Sequence, residues 1–160
     1  LRRSFISNHA NRALSIKRCV LSTNCEMSKG DQQILFSFSP ELDTAFLREL
    51  YGDDFRQAEL VFESSLQQLR SEFSIARARF HDGDITGLKK VIHKVKPIFG
   101  YVGMSEVQEE YKDFEESCAN ARSATDIESG FGLIIGITEQ AIQKMETELK
   151  RLKQYNTQFL

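Results

Sequence analysis

Residues 84–103, DITGLKKVIHKVKPIFGYVG, decide the fold of this chain. Their apolar residues recur at gaps of three and four, which is the period of one face of an α-helix. Asp84 is a suitable N-cap, and Gly103 follows the last apolar position as a helix-ending glycine does. The stretch therefore predicts an amphipathic helix that buries one face.

The same apolar period continues on both sides of this helix. The pattern predicts a short helix that begins near Asp43 and stops at residues 51–52, then a long helix capped by Asp53 that stops at residues 81–83. A fourth helix is predicted from about Ser105, a loop over residues 120–125, and a fifth helix from Asp126 to about residue 155. These helices predict an all-α fold: an antiparallel up-and-down four-helix bundle over residues 41–155, with an extra short N-terminal helix.

Composition limits the function classes. The chain has 160 residues, enough for one domain, and its formal net charge of -2 gives no general attraction to nucleic acid. No apolar run approaches the ~20 residues of a transmembrane helix, so we expect no membrane insertion. Three cysteines without framework spacing favour a reducing compartment and a cytoplasmic location.

The first residues differ from the rest of the chain. Residues 1–25 contain five basic residues and no acidic one, a composition that a transit peptide also has. Met27 resembles a natural start. We expect residues 1–30 to form a disordered N-terminal extension.

One histidine is predicted to lie on the polar face of its helix, where it cannot be a core residue. On a helical wheel of residues 84–103, His93 lies opposite the apolar stripe. Three lysines and two residues of low relief surround it, which suits the close approach of a partner. They are Lys89, Lys90, Lys96, Pro97 and Gly100. An imidazole is a competent nucleophile near neutral pH, and nearby lysines stabilise a phosphoryl group.

The segment from His93 to Gly103 resembles the signature of histidine-containing phosphotransfer (HPt) domains. That signature is H-x-x-K-x6-G, and His93, Lys96 and Gly103 match it. Residues 50–54 and 80–84 resemble the turns that precede the second and third helices of the family. The family has Gly and Ser four and five residues after the histidine, where this chain has Pro97 and Ile98. Because proline removes a backbone N–H, we expect a kinked or loosened helix at Pro97.

The resemblance implies a phosphorelay function. His93 would accept a phosphoryl group from the phospho-aspartate of a response-regulator receiver domain and pass it to another receiver. Lys96 would stabilise the phosphoryl oxygens, and Gly103 would be a structural turn. A surface formed by Lys89, Lys90, Pro97, Gly100 and part of the second helix would bind the partner. The chain would be a carrier and not an enzyme.

The resemblance also implies the partners: receiver domains and a hybrid sensor histidine kinase. It implies no cofactor, because magnesium would belong to the receiver, and no ATP site. We expect a monomer that presents one face to several partners.

Two other functions are compatible with the sequence. The chain could be an interaction module of the HPt fold that binds a receiver or a kinase without phosphotransfer. It could also be a metal-binding bundle, but the ligand spacing that such bundles use, Glu-x-x-His, reads Lys90-x-x-His93 here, so we expect no metal site. Cys118 falls on an apolar stripe, which indicates a buried small side chain.

Overall fold

A computed structural model describes residues 36–159 of the chain, and within this range every regular element is helical. The elements are α1 (Thr44–Tyr51), α2 (Phe55–His81), α3 (Ile85–Tyr101), α4 (Ser105–Asn120), a 3₁₀ turn (Ala124–Ile127) and α5 (Glu128–Phe159). The prediction of an all-α fold is confirmed. The N-terminal extension predicted for residues 1–30 lies outside the described residues. No helix among residues 36–159 is long and apolar enough to cross a membrane.

Aspartates begin the first three helices. Asp43 and Asp84 accept hydrogen bonds from the amides of Phe46 and Gly87, as the sequence predicts for helix caps. The long helix is different: its cap is Asp54, which accepts from the amide of Gln57, and not the predicted Asp53. Either aspartate is chemically suitable, so the sequence alone does not choose between adjacent candidates.

Gly103 ends α3 as predicted, and two observations require a glycine there. Its φ is +70°, in the left-handed region where side chains are strained. A Cβ at this position would also lie 2.8 Å from Cγ of Leu47. The Gly103 carbonyl accepts a hydrogen bond from the amide of Asp43, which joins this turn to the start of α1.

The apolar stripes of the helices meet in one core. α3 packs against α2 and α4, and α5 packs against α2 and α4. The most deeply buried large side chains come from α1 to α5 and include Leu47, Phe62, Phe99, Tyr111 and Met145. Burying a side chain of this size contributes roughly 1.5–3 kcal/mol, so this shared core is the main source of stability.

An extended segment before α1 adds to the core. Phe38 is 3% exposed, and Phe36 packs on the rings of Phe55 and Tyr155. Two side chains of α5 hold this segment: Glu148 accepts from the amide of Ser39, and Arg151 donates to the Ser37 carbonyl, which it reaches at 2.7 Å. Packing thus begins before residue 41 of the predicted range 41–155, and α5 continues past its other end, where Phe159 packs on Tyr155.

The connection between α4 and α5 is tighter than predicted. The sequence predicts that the fifth helix begins at Asp126, but Asp126 lies inside the 3₁₀ turn and accepts hydrogen bonds from the amides of Arg122 and Ser123. Residues 120–125 were predicted to be a loop, yet α4 includes Asn120 and the 3₁₀ turn begins at Ala124. The side chain of Asp126 therefore closes the turn, and α5 begins two residues later than predicted, at Glu128.

Candidate functional site

His93 projects from α3 into solvent. Its side chain is 70% exposed, whereas Ile92 and Val95 beside it are buried. The predicted placement opposite the apolar stripe is confirmed, and Ile98 and Phe99 face the core as the helical wheel indicates. The exposure leaves His93 accessible to a macromolecular partner.

A carboxylate of α4 holds one ring nitrogen of His93. Nδ1 of His93 lies 2.9 Å from Oε1 of Glu115, and Nζ of Lys96 lies 2.9 Å from Oε2 of the same carboxylate. One glutamate therefore connects His93 and Lys96, two of the three residues that match the HPt signature. Because an ionised carboxylate only accepts hydrogen bonds, Nδ1 must carry the proton. In the neutral ring this leaves Nε2 with a free lone pair.

The environment of Glu115 favours its charged form. The side chain is only 16% exposed, and burial by itself raises the pKa of a carboxyl. The hydrogen bonds donated by Lys96 and His93, together with their charges, outweigh burial and hold the pKa of Glu115 below its ordinary value. The carboxylate is thus a fixed negative charge behind the imidazole.

The lysines around His93 differ in their partners. Lys94, which the sequence did not single out, pairs with the buried Glu72 of α2. Lys96 is 24% exposed and is tied to Glu115. Lys89 and Lys90 make no ion pair with any residue of the range 36–159. Their charges remain available to an acidic partner.

Pro97 and Gly100 differ in how exposed they are and in what they contact. Pro97 is exposed, and α3 continues through it as one helix from Ile85 to Tyr101, so the proline does not end the helix. Gly100 is half-buried and faces α4, where a Cβ would lie 2.9 Å from Oε1 of Gln108. Pro97 therefore contributes to the surface near His93, while Gly100 gives α4 room beside α3.

A groove of about 480 Å³ runs beside Pro97 between α2 and α3. Two of its apolar side chains are unusually exposed for their type: Leu50 at 45% and Tyr101 at 53%. Val61 and Gln68 of α2 form the opposite side of the groove. The surface that contains His93 is thus basic along α3, and the exposed apolar side chains of Leu50 and Tyr101 lie at the groove beside it.

The described part of the chain contains no set of ligands for the alternative function, a metal-binding bundle. No group of three or more His, Cys, Asp or Glu side chains converges among residues 36–159. Cys118 is a free, buried thiol, as the sequence indicates, and burial raises its pKa to about 11. Such a thiol is protonated and unreactive at neutral pH.

Sequence reasoning missed Glu115. A signal for it exists: Glu115 follows Phe114 and lies four residues after Tyr111 and three before Cys118, all buried. An acidic residue at the edge of an apolar stripe is held near the interior and tends to have a partner. The partner itself could not be predicted, because it depends on how α4 is rotated against α3.

The chain matches no family model, no curated protein and no solved structure.

Proposed function

We propose that this chain is a phosphohistidine carrier of a phosphorelay, built as an antiparallel up-and-down four-helix bundle. His93 accepts a phosphoryl group from a receiver-domain phospho-aspartate and passes it to another receiver. The observation that carries the proposal is the held imidazole: Nδ1 is bonded to Glu115 while a side chain that is 70% exposed offers Nε2 to solvent. A surface histidine without a function does not need a largely buried carboxylate, here 16% exposed, to fix the orientation of its ring.

The transfer balances without a cofactor on this chain. The Nε2 lone pair of His93 attacks phosphorus, the P–N bond forms, and the P–O bond to the aspartate breaks, which releases a carboxylate on the receiver. The ring then carries a positive charge with its proton still on Nδ1, where Glu115 accepts the hydrogen bond. The developing charge is therefore stabilised by a group that is already in place.

Lys96 supplies the positive charge for the phosphoryl oxygens. Its ammonium donates one hydrogen bond to Glu115 and has two further N–H donors, because an ammonium carries three. Glu115 thus aligns the nucleophile and anchors the lysine at the same time.

The partner surface follows from the charges and the groove beside His93. Lys89 and Lys90 attract an acidic receiver, and the exposed Leu50, Pro97 and Tyr101 offer it an apolar contact. We propose receiver domains and a hybrid sensor kinase as partners, with magnesium held by the receiver.

A second candidate is binding to a receiver or a kinase without transfer. The exposed apolar groove favours it equally, because the groove would be needed for docking in both cases. The two functions differ only in whether His93 becomes phosphorylated.

The test is a phosphotransfer assay with receiver domains phosphorylated on aspartate. We expect label to move to the wild-type chain and not to the His93→Gln variant, and to be lost in acid but kept in base. Because His93 is exposed, the variant should retain the wild-type circular dichroism spectrum and unfolding midpoint.

Two outcomes would contradict the proposal. Label on the His93→Gln variant would place the acceptor elsewhere. Binding to phosphorylated receivers without any transfer of label would support the interaction module instead.

A further inference from the structure

A hollow of about 510 Å³ lies between the start of α3 and the end of α4, and two cationic side chains line it. Lys89 belongs to α3, and Arg122 follows the last residues of α4. Neither side chain makes a hydrogen bond or an ion pair with a residue of the range 36–159. Two positive charges therefore share one concave surface, and no described carboxylate binds either of them.

The burial of Lys89 sets it apart from its neighbour. Lys89 is half-buried, whereas Lys90 is exposed. A lysine that is partly removed from water usually has an acidic partner, because its charge is costly to desolvate. Burial raises the pKa of the Cys118 thiol on α4, and the charge of Lys89 acts in the opposite direction, so the ammonium lies on the side of α3 that faces α4.

The other polar groups of the hollow leave it electropositive. Asp84 also lines it, but Oδ1 of Asp84 accepts from the amide of Gly87 at 2.8 Å, and Oδ2 lies 2.9 Å from Nη1 of Arg79. The N-terminal end of α3 and the C-terminal end of α4 both border the hollow, and their dipoles have opposite signs there. The side chains therefore determine its charge, and the hydroxyl of Thr86 adds a neutral donor.

We propose that this hollow binds the phosphate group of a small phosphate monoester. The ammonium of Lys89 and the guanidinium of Arg122 donate hydrogen bonds to the phosphate oxygens, and the hydroxyl of Thr86 donates a further one. A phosphate monoester carries roughly 1.5 to 2 negative charges at pH 7, which matches two cations better than the single charge of a carboxylate. The volume falls within the range of about 300–1,000 Å³ of small-molecule sites, which leaves room for an organic group beside the phosphate.

The site is separate from the proposed nucleophile. Lys89 lies one helical turn before His93, but neither His93 nor Glu115 lines the hollow. Binding of a phosphate group there requires no phosphorylation of the chain and no receiver domain. The inference therefore does not depend on the phosphorelay function, and its test uses the chain alone.

An NMR titration of the full chain, followed through its backbone amides, tests the proposal. One series uses inorganic phosphate and the other uses glycerol 3-phosphate, both at constant ionic strength because salt screens exposed charges. We expect the amide shifts of Thr86, Lys89 and Arg122 to saturate with a dissociation constant of about 1 mM, an affinity that a few charge-assisted hydrogen bonds can supply. The monoester should bind at least as tightly as inorganic phosphate.

Three variants separate the hollow from general attraction between charges. Lys89→Gln and Arg122→Gln should each weaken binding at least about tenfold, since each removes one charged hydrogen-bond donor. The matched control is Lys150→Gln, which removes the same charge from an exposed position of α5 outside the hollow. It should bind like wild type. Circular dichroism checks the fold of each variant, and the exposed Arg122 keeps the test valid if Lys89→Gln is unstable.

Four results would overturn the proposal. Shifts that rise without saturation in both series would mean that no site exists. Equal weakening by Lys150→Gln would mean that phosphate responds only to the overall charge. Unchanged binding in both Lys89→Gln and Arg122→Gln would place the anion elsewhere. Saturable binding of inorganic phosphate alone would exclude a phosphate monoester as the ligand.

Discussion

At the scale of single residues, Glu115 determines the tautomer of His93, the proposed nucleophile. Its carboxylate accepts the Nδ1 proton of His93, which selects the tautomer whose Nε2 is unprotonated. Replacing Glu115 by Ala removes this selection and frees Lys96 at the same time. We expect the transfer rate to fall about 10- to 100-fold, the range typical of losing a group that orients a metal-binding histidine.

The measurement pairs transfer rates with nitrogen NMR of the His93 ring. A positioning role predicts that the variant gains the Nε2–H tautomer, a change that a merely destabilised fold would not produce. Glu110→Ala is the matched control, because Glu110 is exposed on α4 and makes no hydrogen bond to His93 or Lys96. A slower variant whose ring keeps the wild-type tautomer would contradict the role of Glu115.

At this scale the sequence predicts which side chains of one helix are exposed, but it does not predict the contacts between helices. The exposure of His93 follows from the period of α3 alone, so it could be predicted. The contacts of Lys96 and Lys94 could not, because Glu115 and Glu72 belong to other helices. Which carboxylate a lysine reaches depends on the packing angle and rotation of the helix pair, and the residue pattern does not determine either.

At the scale of elements, α3 contains a proline that destabilises the helix. Pro97 is at an interior position of Ile85–Tyr101, and it has no N–H to donate to the His93 carbonyl. Its ring is exposed and buries little apolar surface in return. We expect Pro97→Ala to raise the free energy of unfolding by about 1–3 kcal/mol, the range set by helix propensity.

Denaturant unfolding followed by circular dichroism measures this change. Lys90→Ala on the same face is the control, and as an exposed substitution it should stay within about 0.5 kcal/mol of wild type. A loss of stability in Pro97→Ala would mean that the packing of α3 depends on the proline ring.

The helix boundaries show which local sequence signals are sufficient to predict where a helix begins. Where a single aspartate precedes an apolar stripe, as at Asp43 and Asp84, the start of the helix is predictable. Where two aspartates are adjacent, as at residues 53–54, the choice depends on which one the packed helix places at the cap. Asp126 also precedes an apolar stripe, but its segment is a 3₁₀ turn in which Asp126 and Ser123 form a capping box.

At the scale of the whole molecule, two carboxylates connect neighbouring helices through their charged forms. Glu115 joins α4 to α3, and Asp126 closes the turn between α4 and α5. Burial raises the pKa of Glu115, but Lys96 and His93 hold it below its ordinary value. Hydrogen bonds from the amides of Arg122 and Ser123 lower the pKa of Asp126.

The signs of these two shifts predict the response of the fold to acid. A carboxyl whose pKa is lower in the folded state binds protons more readily when unfolded, so its stabilisation is complete above its unfolded pKa and is lost as the pH falls through its folded pKa. We therefore expect the free energy of unfolding to decrease as the pH is lowered below 4.5, the ordinary pKa of Glu115, and again below 3.8, that of Asp126. Denaturant unfolding at a series of pH values measures this slope. The double variant Glu115→Gln, Asp126→Asn should be less stable at neutral pH and show a flatter slope, while Glu110→Gln should leave the slope close to that of wild type. An undiminished acid slope in the double variant would mean that other carboxylates control acid unfolding.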